Sequence, residues 1–252
     1  MNLLRETWLL FVRSLKETIR NPVWVIFGLI QPIFFLTLFG PLFKKVARGP
    51  GFPSGGAMNL FVPGLLIQLA LFSAFAGFGL IDEMRFGVIE RFRVTPVSRL
   101  ALLLGHVARD ILIILVQATM LVVLSIPFGL NFDLGGFLVM LGLLAIIASA
   151  LASISYSLAI YLKSEDALAP VLNTITMPLL LLSGIFLPLT LAPGWLRRIA
   201  DFNPFAYAVD AGRDLFNGRA GDGDVWQALV IFMAVAVLSV WWAARSFRQA
   251  TA

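Results

Sequence analysis

The chain alternates between long apolar runs and shorter stretches that hold its charged residues. Roughly 20 consecutive apolar residues cross a bilayer as an α-helix, and six uncharged runs come close to or exceed that length. The pattern therefore predicts an all-α integral membrane protein with six transmembrane helices in a single domain over residues 1–252. The predicted spans are residues 23–43, 59–81, 106–130 (with its uncharged part at 111–128), 136–162, 167–188 and 225–244.

The first 22 residues have a different, amphipathic pattern. Apolar residues recur at helical spacing, and the charged residues fall largely on the other side. The apolar residues are Leu4, Trp8, Phe11, Val12, Leu15 and Ile19, and the charged ones are Glu6, Arg13, Glu17 and Arg20. This pattern is typical of a helix that lies in the membrane interface, and Asn21-Pro22 is expected to end it before the first span. A helix packed on a soluble partner is the alternative.

Composition agrees with the membrane class. A mean hydropathy of +0.93 and 22 phenylalanines lie outside the range of soluble domains. We attribute the net charge of +5 to cytoplasmic loops, so nucleic acid is not expected as a partner. The sequence contains no cysteine, which excludes disulfides and thiolate metal sites, and no bound metal is expected. Charged residues interrupt the N-terminal apolar positions, so a signal peptide is not expected either.

The distribution of Lys and Arg predicts the orientation. With both termini inside, the inner segments hold 12 of these residues and the outer segments hold 7. Cytoplasmic loops of membrane proteins carry the excess of Lys and Arg. Both termini are therefore predicted to be cytoplasmic.

Several kinds of chemistry are disfavoured by the sequence. The apolar runs contain no Asp, Glu, Lys, Arg or His, which argues against a proton-coupled carrier but leaves sodium coordination by backbone carbonyls and hydroxyls open. No G-x-x-x-x-G-K-[ST] phosphate loop is present. A serine hydrolase would need Ser183 and the single histidine, His106, which the topology puts at opposite faces. We therefore expect no catalytic or cofactor-binding residues, and His106 is interpreted as an interfacial residue.

A charged block between the second and third runs is predicted to be a helix over residues 82–94. Met84, Val88 and Phe92 recur every four residues, and the pairs Asp82/Arg85 and Glu90/Arg93 are spaced to interact across one turn. Pro96 is expected to end this helix, and Ser98 to cap the next one. A solvated loop that only enforces topology is the alternative.

The segment between the fifth and sixth runs is predicted to hold two short amphipathic helices. Pro193 opens one that ends near Phe202, and the second has Asn203 as its N-cap, Pro204 at its first position and Gly218 after its end. One face of the second helix is apolar, and the charged residues fall off it. The apolar face comprises Phe205, Ala208, Val209, Gly212 and Phe216, and the charged residues are Asp210, Arg213 and Asp214. These helices either dip toward the bilayer or lie flat.

Two further patterns concern helix packing. Small residues repeat every four positions at Ala145, Ser149, Ser153 and Ser157, a spacing that lets another helix approach closely, although ordinary small-residue content explains it equally well. Prolines inside the first and fifth runs are expected to kink or locally unwind those helices. These prolines are Pro32, Pro170 and Pro178.

Two motifs resemble those of type-2 ABC transporter permeases. The stretch EMRFGVIERFRVTPVSRLALLLG matches their cytoplasmic loop, and SGIFLPLTLAPGWLRRIADFNPFAYAVDAGR matches their segment after the fifth span. The loop has GVIE where GTLE is commoner, a change on the surface of the predicted helix. Within the family, the overall pattern is most similar to the antibiotic-resistance (daunorubicin-type) exporters.

The resemblance implies a function. The chain would be the permease subunit of an ATP-driven exporter in the bacterial cytoplasmic (inner) membrane, moving a hydrophobic or amphipathic small molecule or lipid. A second permease chain, expected as a homodimer, and two ABC ATPase subunits that bind ATP and Mg²⁺ would complete it, with membrane lipids around it. Export of a lipid-linked glycan or polysaccharide, or a membrane scaffold without transport, are the alternatives.

The resemblance also implies roles for individual residues. The loop would form a coupling helix that docks on the ATPase, and the helix after residue 203 would form an extracellular gate, whose apolar face is expected to pack on the fifth and sixth spans. The coupling residues would be Glu83, Gly87, Glu90, Arg91, Phe92, Arg93, Thr95 and Pro96, and the gate residues Phe205, Tyr207, Val209, Asp210, Arg213 and Phe216.

Overall fold

The structure is a computed structural model that describes residues 3–21, 23–42, 56–87, 98–186, 189–219 and 221–249. Within these ranges the chain forms helices and turns, and no strand. The α-helices are α1 (Leu3–Arg20), α2 (Val23–Phe34), α3 (Ala57–Leu71), α4 (Gly77–Arg85), α5 (Arg99–Ser125), α6 (Leu134–Leu162), α7 (Glu165–Leu181), α8 (Gly194–Ala200), α9 (Pro204–Phe216) and α10 (Gly223–Gln249).

Helix α3 lies at the centre of the bundle. Every residue from Met58 to Leu71 is buried, because α3 is apolar around its whole circumference and has helices on several sides. Its packing partners are α2, α5, α6, α7 and α9. Helix α10 packs mainly along α6, and α1 packs along α5.

Among the described residues, four helical segments are long and apolar enough to cross a membrane by length and composition. They are Ala57–Arg85, Arg99–Phe128, Leu134–Leu162 and Gly223–Phe247, and a shorter apolar helix covers Ile26–Leu42. The all-helical membrane class is thereby confirmed. The count of six spans stays a prediction, since α2 and α7 are shorter.

The prolines of α2 and α7 act differently. In α2, Pro32 is followed by a π-helical turn at Phe35–Phe39, and the Thr37 hydroxyl donates to the Ile33 carbonyl at 2.9 Å. This is the local distortion that the sequence predicts. Helix α7 instead continues through both Pro170 and Pro178 and ends at Leu181.

The second apolar run is not one regular helix. A 3₁₀ turn at Phe72–Phe75 separates α3 from α4, and the Ser73 hydroxyl donates to the Ala70 carbonyl inside it at 2.6 Å. Short 3₁₀ segments within a longer helix often mark a hinge. Helix α4 is therefore a separate nine-residue arm.

The third run extends further back than its uncharged part. Helix α5 begins at Arg99, so His106, Arg109 and Asp110 lie inside a helix long enough to span a membrane. All three lie in the predicted span 106–130, ahead of its uncharged part. Their side chains meet partners from neighbouring helices, which sequence periodicity does not reveal.

Successive helices run back and forth, so the bundle has two ends. The α4 end holds α1, α4 and the first turns of α5 and α7. The α9 end holds the first turns of α3, α6 and α10 together with α9. Contacts between Glu6 and Ser98 at one end, and between Asn59 and Phe216 at the other, fix this arrangement.

Candidate functional site

The predicted coupling loop is described only at its two ends. Glu83 lies on α4 and Gly87 in the turn after it. The other coupling residues, Glu90, Arg91, Phe92, Arg93, Thr95 and Pro96, lie outside the described residues, as does Val88. Their role stays a prediction.

The predicted helix over residues 82–94 is wrong at residues 86–87, although residues 82–85 are helical as the end of α4. Helix α4 ends at Arg85, and Gly87 has φ of +68°, a left-handed conformation that glycine adopts without steric cost and that interrupts a helix. The proposed Asp82/Arg85 pair is also wrong, because Arg85 pairs instead with Glu165 of α7 at 3.3 Å.

Glu83, on α4 shortly before this loop, makes a largely buried contact with His106. Its Oε1 atom lies 2.9 Å from Nε2 of His106 on α5, and the exposed fractions of the two side chains are 18% and 5%. The other ring nitrogen of His106, Nδ1, lies 2.8 Å from the Leu102 carbonyl oxygen. His106 is thus not a free interfacial side chain, since it joins α4 to α5.

A second group of polar side chains lies beside His106. Arg109 donates two hydrogen bonds to Asp110 at 2.8 and 3.0 Å, and the Tyr156 hydroxyl of α6 donates to the same carboxylate. Arg109 also donates to the Tyr156 oxygen at 3.1 Å. The Tyr156 and His106 rings meet edge to face with centroids 5.8 Å apart.

These five residues, Glu83, His106, Arg109, Asp110 and Tyr156, are hereafter the polar cluster. The polar cluster contains two acidic and two basic side chains, so their formal charges cancel, and each is hydrogen-bonded to a neighbour. A buried charge is tolerated under that condition. The polar cluster joins α4, α5 and α6 at one level of the bundle.

The other end of the loop is fixed by α1. Glu6, which the helical pattern puts on a polar face, is 5% exposed because its Oε2 accepts a 2.8 Å hydrogen bond from the Ser98 amide. Ser98 occupies the N-cap position of α5, as predicted, but its side chain makes no cap hydrogen bond. One turn deeper, a Cβ on Gly105 would stand 2.9 Å from Leu10 Cβ, so α1 and α5 pack at backbone distance.

At the opposite end, α9 is almost wholly buried. Phe205, Val209 and Phe216 are at most 2% exposed, and the Phe205 ring meets the Phe232 ring of α10 edge to face at 5.1 Å. Asn203 caps α9 as predicted, its side chain accepting from the Phe205 amide at 3.0 Å. The helix therefore does not lie flat on a surface.

The predicted neighbours of α9 are partly wrong. Packing on the sixth span is confirmed, but α3 and α6 are larger neighbours of α9 than the fifth span, which it meets through the Asn203 cap, whose amide donates to the Leu179 carbonyl at 2.8 Å. The approach is close: Asn59 of α3 donates to the Phe216 carbonyl at 2.6 Å, and a Cβ on Gly136 of α6 would stand 2.8 Å from the Leu215 carbonyl carbon. The hydrophobic pattern of the sequence does not predict amide and glycine contacts of this kind.

Arg213 connects α9 to the turn after α7. Its guanidinium donates to the carbonyls of Leu60 at 3.3 Å and Gly184 at 2.6 Å, and to Asp210 at 3.0 Å. Burial lowers the pKa of Arg213, and the Asp210 carboxylate opposes that shift. Although the pattern puts Arg213 off the apolar face, its side chain is buried, because these acceptors satisfy its donors.

The remaining predicted residues have simpler surroundings. The Tyr207 hydroxyl donates to the Asp201 carbonyl at 3.0 Å. In the small-residue series on α6, Ser153 and Ser157 are fully buried, while Ala145 and Ser149 are half-buried. A further close small-residue contact on α6 lies outside this series, where the Ser155 hydroxyl accepts from the Gly77 amide at 2.8 Å.

The fold and both ends of the bundle define a multi-pass helical membrane protein with a balanced charged cluster buried at one end. A family model described as ABC-2 type transporter matches residues 5–217. The chain belongs to the ABC-2 type transporter family, a family of membrane transport permeases, and the resemblance seen in its two motifs is confirmed.

Curated relatives agree with this assignment. The chain is 29% identical over 216 residues to a daunorubicin resistance ABC transporter permease protein, DrrB1, of Streptomyces coeruleorubidus, covering 83% of this chain and 74% of that protein. It is 25% identical to the inner membrane transport permease YadH of Escherichia coli strain K12, covering 87% of both chains. A putative transport permease, ycf38, of Cyanophora paradoxa is 27% identical over 85% of this chain and 75% of that protein.

The polar cluster was missed by the sequence interpretation, except for Glu83. One signal was available: His106, Arg109 and Asp110 stand three and four residues apart, which puts them on neighbouring positions of one helix. Three ionisable residues so arranged at the edge of an apolar run indicate a shared buried site. The contribution of Tyr156 had no comparable signal.

Proposed function

We propose that this chain is the membrane-spanning subunit of an ATP-driven exporter that moves a hydrophobic or amphipathic small molecule or lipid. The observation that carries the proposal is membership of a family of transport permeases, combined with similarity to a protein named for daunorubicin resistance. Because the sequence contains no phosphate-binding loop of the G-x-x-x-x-G-K-[ST] type, ATP and Mg²⁺ would be bound by a separate ABC ATPase subunit.

In this proposal the chain crosses a bacterial inner membrane six times, with α2 and α7 as the first and fifth spans. Both termini and the loop over residues 88–97 face the cytoplasm, where the loop docks on the ATPase. Exposed basic residues at the α4 end support this orientation, since cytoplasmic segments carry the excess of Lys and Arg. They include Arg5, Lys16, Arg20, Arg85, Lys163 and Arg245.

The proposal includes a second copy of the chain. Gln31 of α2 and Asn173 and Thr174 of α7 are exposed near the middle of helices that are otherwise apolar. Within the described part of the chain, the Asn173 amide donates to the Ala169 carbonyl of its own helix at 3.0 Å. Because uncovered amides in hydrocarbon are unfavourable and polar side chains join membrane helices, this face suits contact with a second chain, and the cargo would move along it.

Helix α9 would close the outer mouth of that path. The tight contacts of Phe205, Arg213 and Phe216 with the surrounding helices support a closed state, and opening would require α9 to move relative to α3. Two ATPase subunits beneath a homodimer would drive that change on binding and hydrolysing ATP.

The test is transport by a purified complex. The chain, co-expressed with a candidate ABC ATPase and reconstituted in inside-out vesicles, is expected to accumulate daunorubicin or another lipophilic dye only with ATP. An ATPase variant unable to hydrolyse ATP is the control. A chain that inserts but retains no ATPase through purification would support the scaffold alternative instead.

The second copy is tested separately. The chain has no cysteine, so Asn173→Cys allows selective cross-linking of two chains with a short bifunctional thiol reagent. Val230→Cys, exposed on α10, is the matched control. Cross-linked dimer at position 173 and monomer at position 230 are expected, and the reverse result would put the chain–chain contact on α10.

A further inference from the structure

Helix α4 has one hydrogen-bonded contact at its start and another near its end, besides the buried side chains of Leu80 and Ile81 and the exposed Arg85–Glu165 pair. At its start, the Gly77 amide donates to the Ser155 hydroxyl of α6 at 2.8 Å, and a Cβ on Gly77 would stand 2.6 Å from the Ser155 carbonyl oxygen. At its other end, Glu83 meets His106 of α5 at 2.9 Å. Between α4 and the central helix α3 stands the 3₁₀ turn at Phe72–Phe75, so the arm is not held by a continuous helix.

A hydrogen lies between Nε2 of His106 and the Glu83 carboxyl group whether the two side chains are charged or neutral. Nδ1 of His106 faces a carbonyl oxygen, which only accepts, so Nδ1 carries a hydrogen. Nε2 faces a carboxyl oxygen, so a second hydrogen lies between His106 and Glu83. Either as an ion pair or as a neutral pair, the contact is a hydrogen bond between two side chains that are largely shielded from water.

His106 is itself supported from behind. The Tyr156 ring packs edge to face against the imidazole, and the Tyr156 hydroxyl is bonded to Asp110. The position of the His106 ring is therefore set by α6 as well as by α5. Because the His106 ring is itself fixed in position, it can fix the position of the Glu83 side chain.

The two ends of the loop over residues 88–97 are attached to the same short piece of α5. The loop ends at Ser98, whose amide is bonded to Glu6 of α1. Glu83, shortly before the loop, is bonded to His106, eight residues further along α5, or about 12 Å at 1.5 Å per residue. A force on the loop therefore reaches α1, α4 and α5 through two hydrogen-bonded contacts.

We propose that Glu83–His106 is a latch, with His106 as the positioning residue that holds α4 against α5 so that motion of the loop is passed to the membrane helices. The latch rests on the proposed function, because it acts on the contact with the ATPase. Breaking it lets α4 pivot about Gly77–Ser155, which leaves the bundle folded but separates ATP hydrolysis from transport.

The chemistry of the latch gives a rescue variant. Glu83→Ala and His106→Ala remove one partner each. Glu83→Gln keeps the size and supplies an amide N–H that donates to a neutral Nε2 of His106, so the hydrogen bond is retained. The exposed Arg85–Glu165 pair, two residues away on α4, provides the matched control through Arg85→Gln.

The first measurement is transport per ATP hydrolysed in reconstituted complexes. Glu83→Ala and His106→Ala are expected to lower this ratio about tenfold, the size of effect expected from losing one side-chain hydrogen bond, while ATPase binding and hydrolysis stay near wild type. The double variant is expected to match either single one, and Glu83→Gln and Arg85→Gln to stay close to wild type. Equal loss of transport and hydrolysis, or uncoupling by Arg85→Gln as well, would overturn the latch.

The second measurement does not need the ATPase. Spin labels at Phe86→Cys, which is 74% exposed, and Met120→Cys, which is 50% exposed, report the distance from α4 to α5 in the chain alone. The distance distribution is expected to broaden in Glu83→Ala and to stay narrow in Glu83→Gln. An unchanged distribution overturns the latch, and broadening without uncoupling overturns its role in transport. If the wild-type chain binds no ATPase, the proposed function fails. The spin-label distance still shows whether the Glu83–His106 contact fixes α4 against α5.

Discussion

Arg213 donates a 2.6 Å hydrogen bond to the main-chain oxygen of Gly184, so a buried guanidinium on α9 holds the turn that follows α7. The same side chain donates to the Leu60 carbonyl in the first turn of α3. The Arg213 guanidinium therefore connects α9 to the first turn of α3 and to the turn after α7. Close backbone packing surrounds it, since a Cβ on Gly64 would stand 2.7 Å from the Ile185 carbonyl oxygen.

Arg213→Lys is expected to destabilise the chain despite keeping the charge. One ammonium group cannot reproduce the planar fork that donates to two carbonyls and to Asp210, and a hydrogen bond to a charged group contributes about 1.5–3 kcal/mol. The loss should be about 2–3 kcal/mol in the free energy of unfolding, measured by denaturant titration in detergent. The exposed Arg198→Lys is the control and should change it by less than about 0.5 kcal/mol. Equal effects at both positions would mean that the fork is not required.

Two glycines of α6 provide a matched test of helix packing at the α9 end. An alanine at Gly136 would push its Cβ into the Leu215 carbonyl group, whereas a Cβ on Gly142 meets nothing within 4 Å. Gly136→Ala is expected to lower the free energy of unfolding by about 1–3 kcal/mol through overpacking. Gly142→Ala should raise it by about 0.5–1 kcal/mol, because alanine favours a helix more than glycine does. The same denaturant titration measures both, and a tolerated Gly136→Ala would argue against the tight α6–α9 contact.

The predicted orientation can be tested in whole cells because the chain has no cysteine. Arg198→Cys lies on α8 and Phe86→Cys just after α4, and both positions are exposed. A membrane-impermeant thiol reagent should label position 198 in intact cells and position 86 only after the cells are opened. Labelling of position 86 alone in intact cells would reverse the topology.

Elements that depend on local signals could be predicted closely from the sequence. Helix α9 begins at Pro204 after its Asn203 cap, and Gly218 follows its end with φ of +74°, because caps and stops are short-range features. Helix α6 agrees with its apolar run to within two residues at its start. Long apolar segments bounded by turns carry the strongest sequence signal.

Features that depend on which helices are neighbours could not be predicted. The burial of Glu6 requires Ser98 to lie opposite it, and the partner of Glu83 is a histidine on another helix. The hydrophobic pattern puts charged side chains on a helix face but does not say that another helix covers that face. The prediction of a helix through Gly87 was wrong for a related reason, because glycine is compatible with both a helix and a left-handed turn.

The last prediction concerns the loop over residues 88–97, whose proposed role is to dock on the ATPase. A Glu90/Arg93 pair on a solvated helix would contribute only about 0.3–0.5 kcal/mol to stability, so Glu90→Ala should leave the chain expressed and inserted. At an interface, losing one partner of a buried charge pair weakens binding by about 2–5 kcal/mol, so the same change should reduce co-purification of the ATPase. Phe92→Ala should reduce it through lost apolar contact, independently of charge. Glu17→Ala, on the exposed side of α1, is the control and should retain the ATPase. The measurement is the amount of co-purified ATPase together with cargo-stimulated ATP hydrolysis, and full retention of both in Glu90→Ala and Phe92→Ala would favour the solvated-loop alternative.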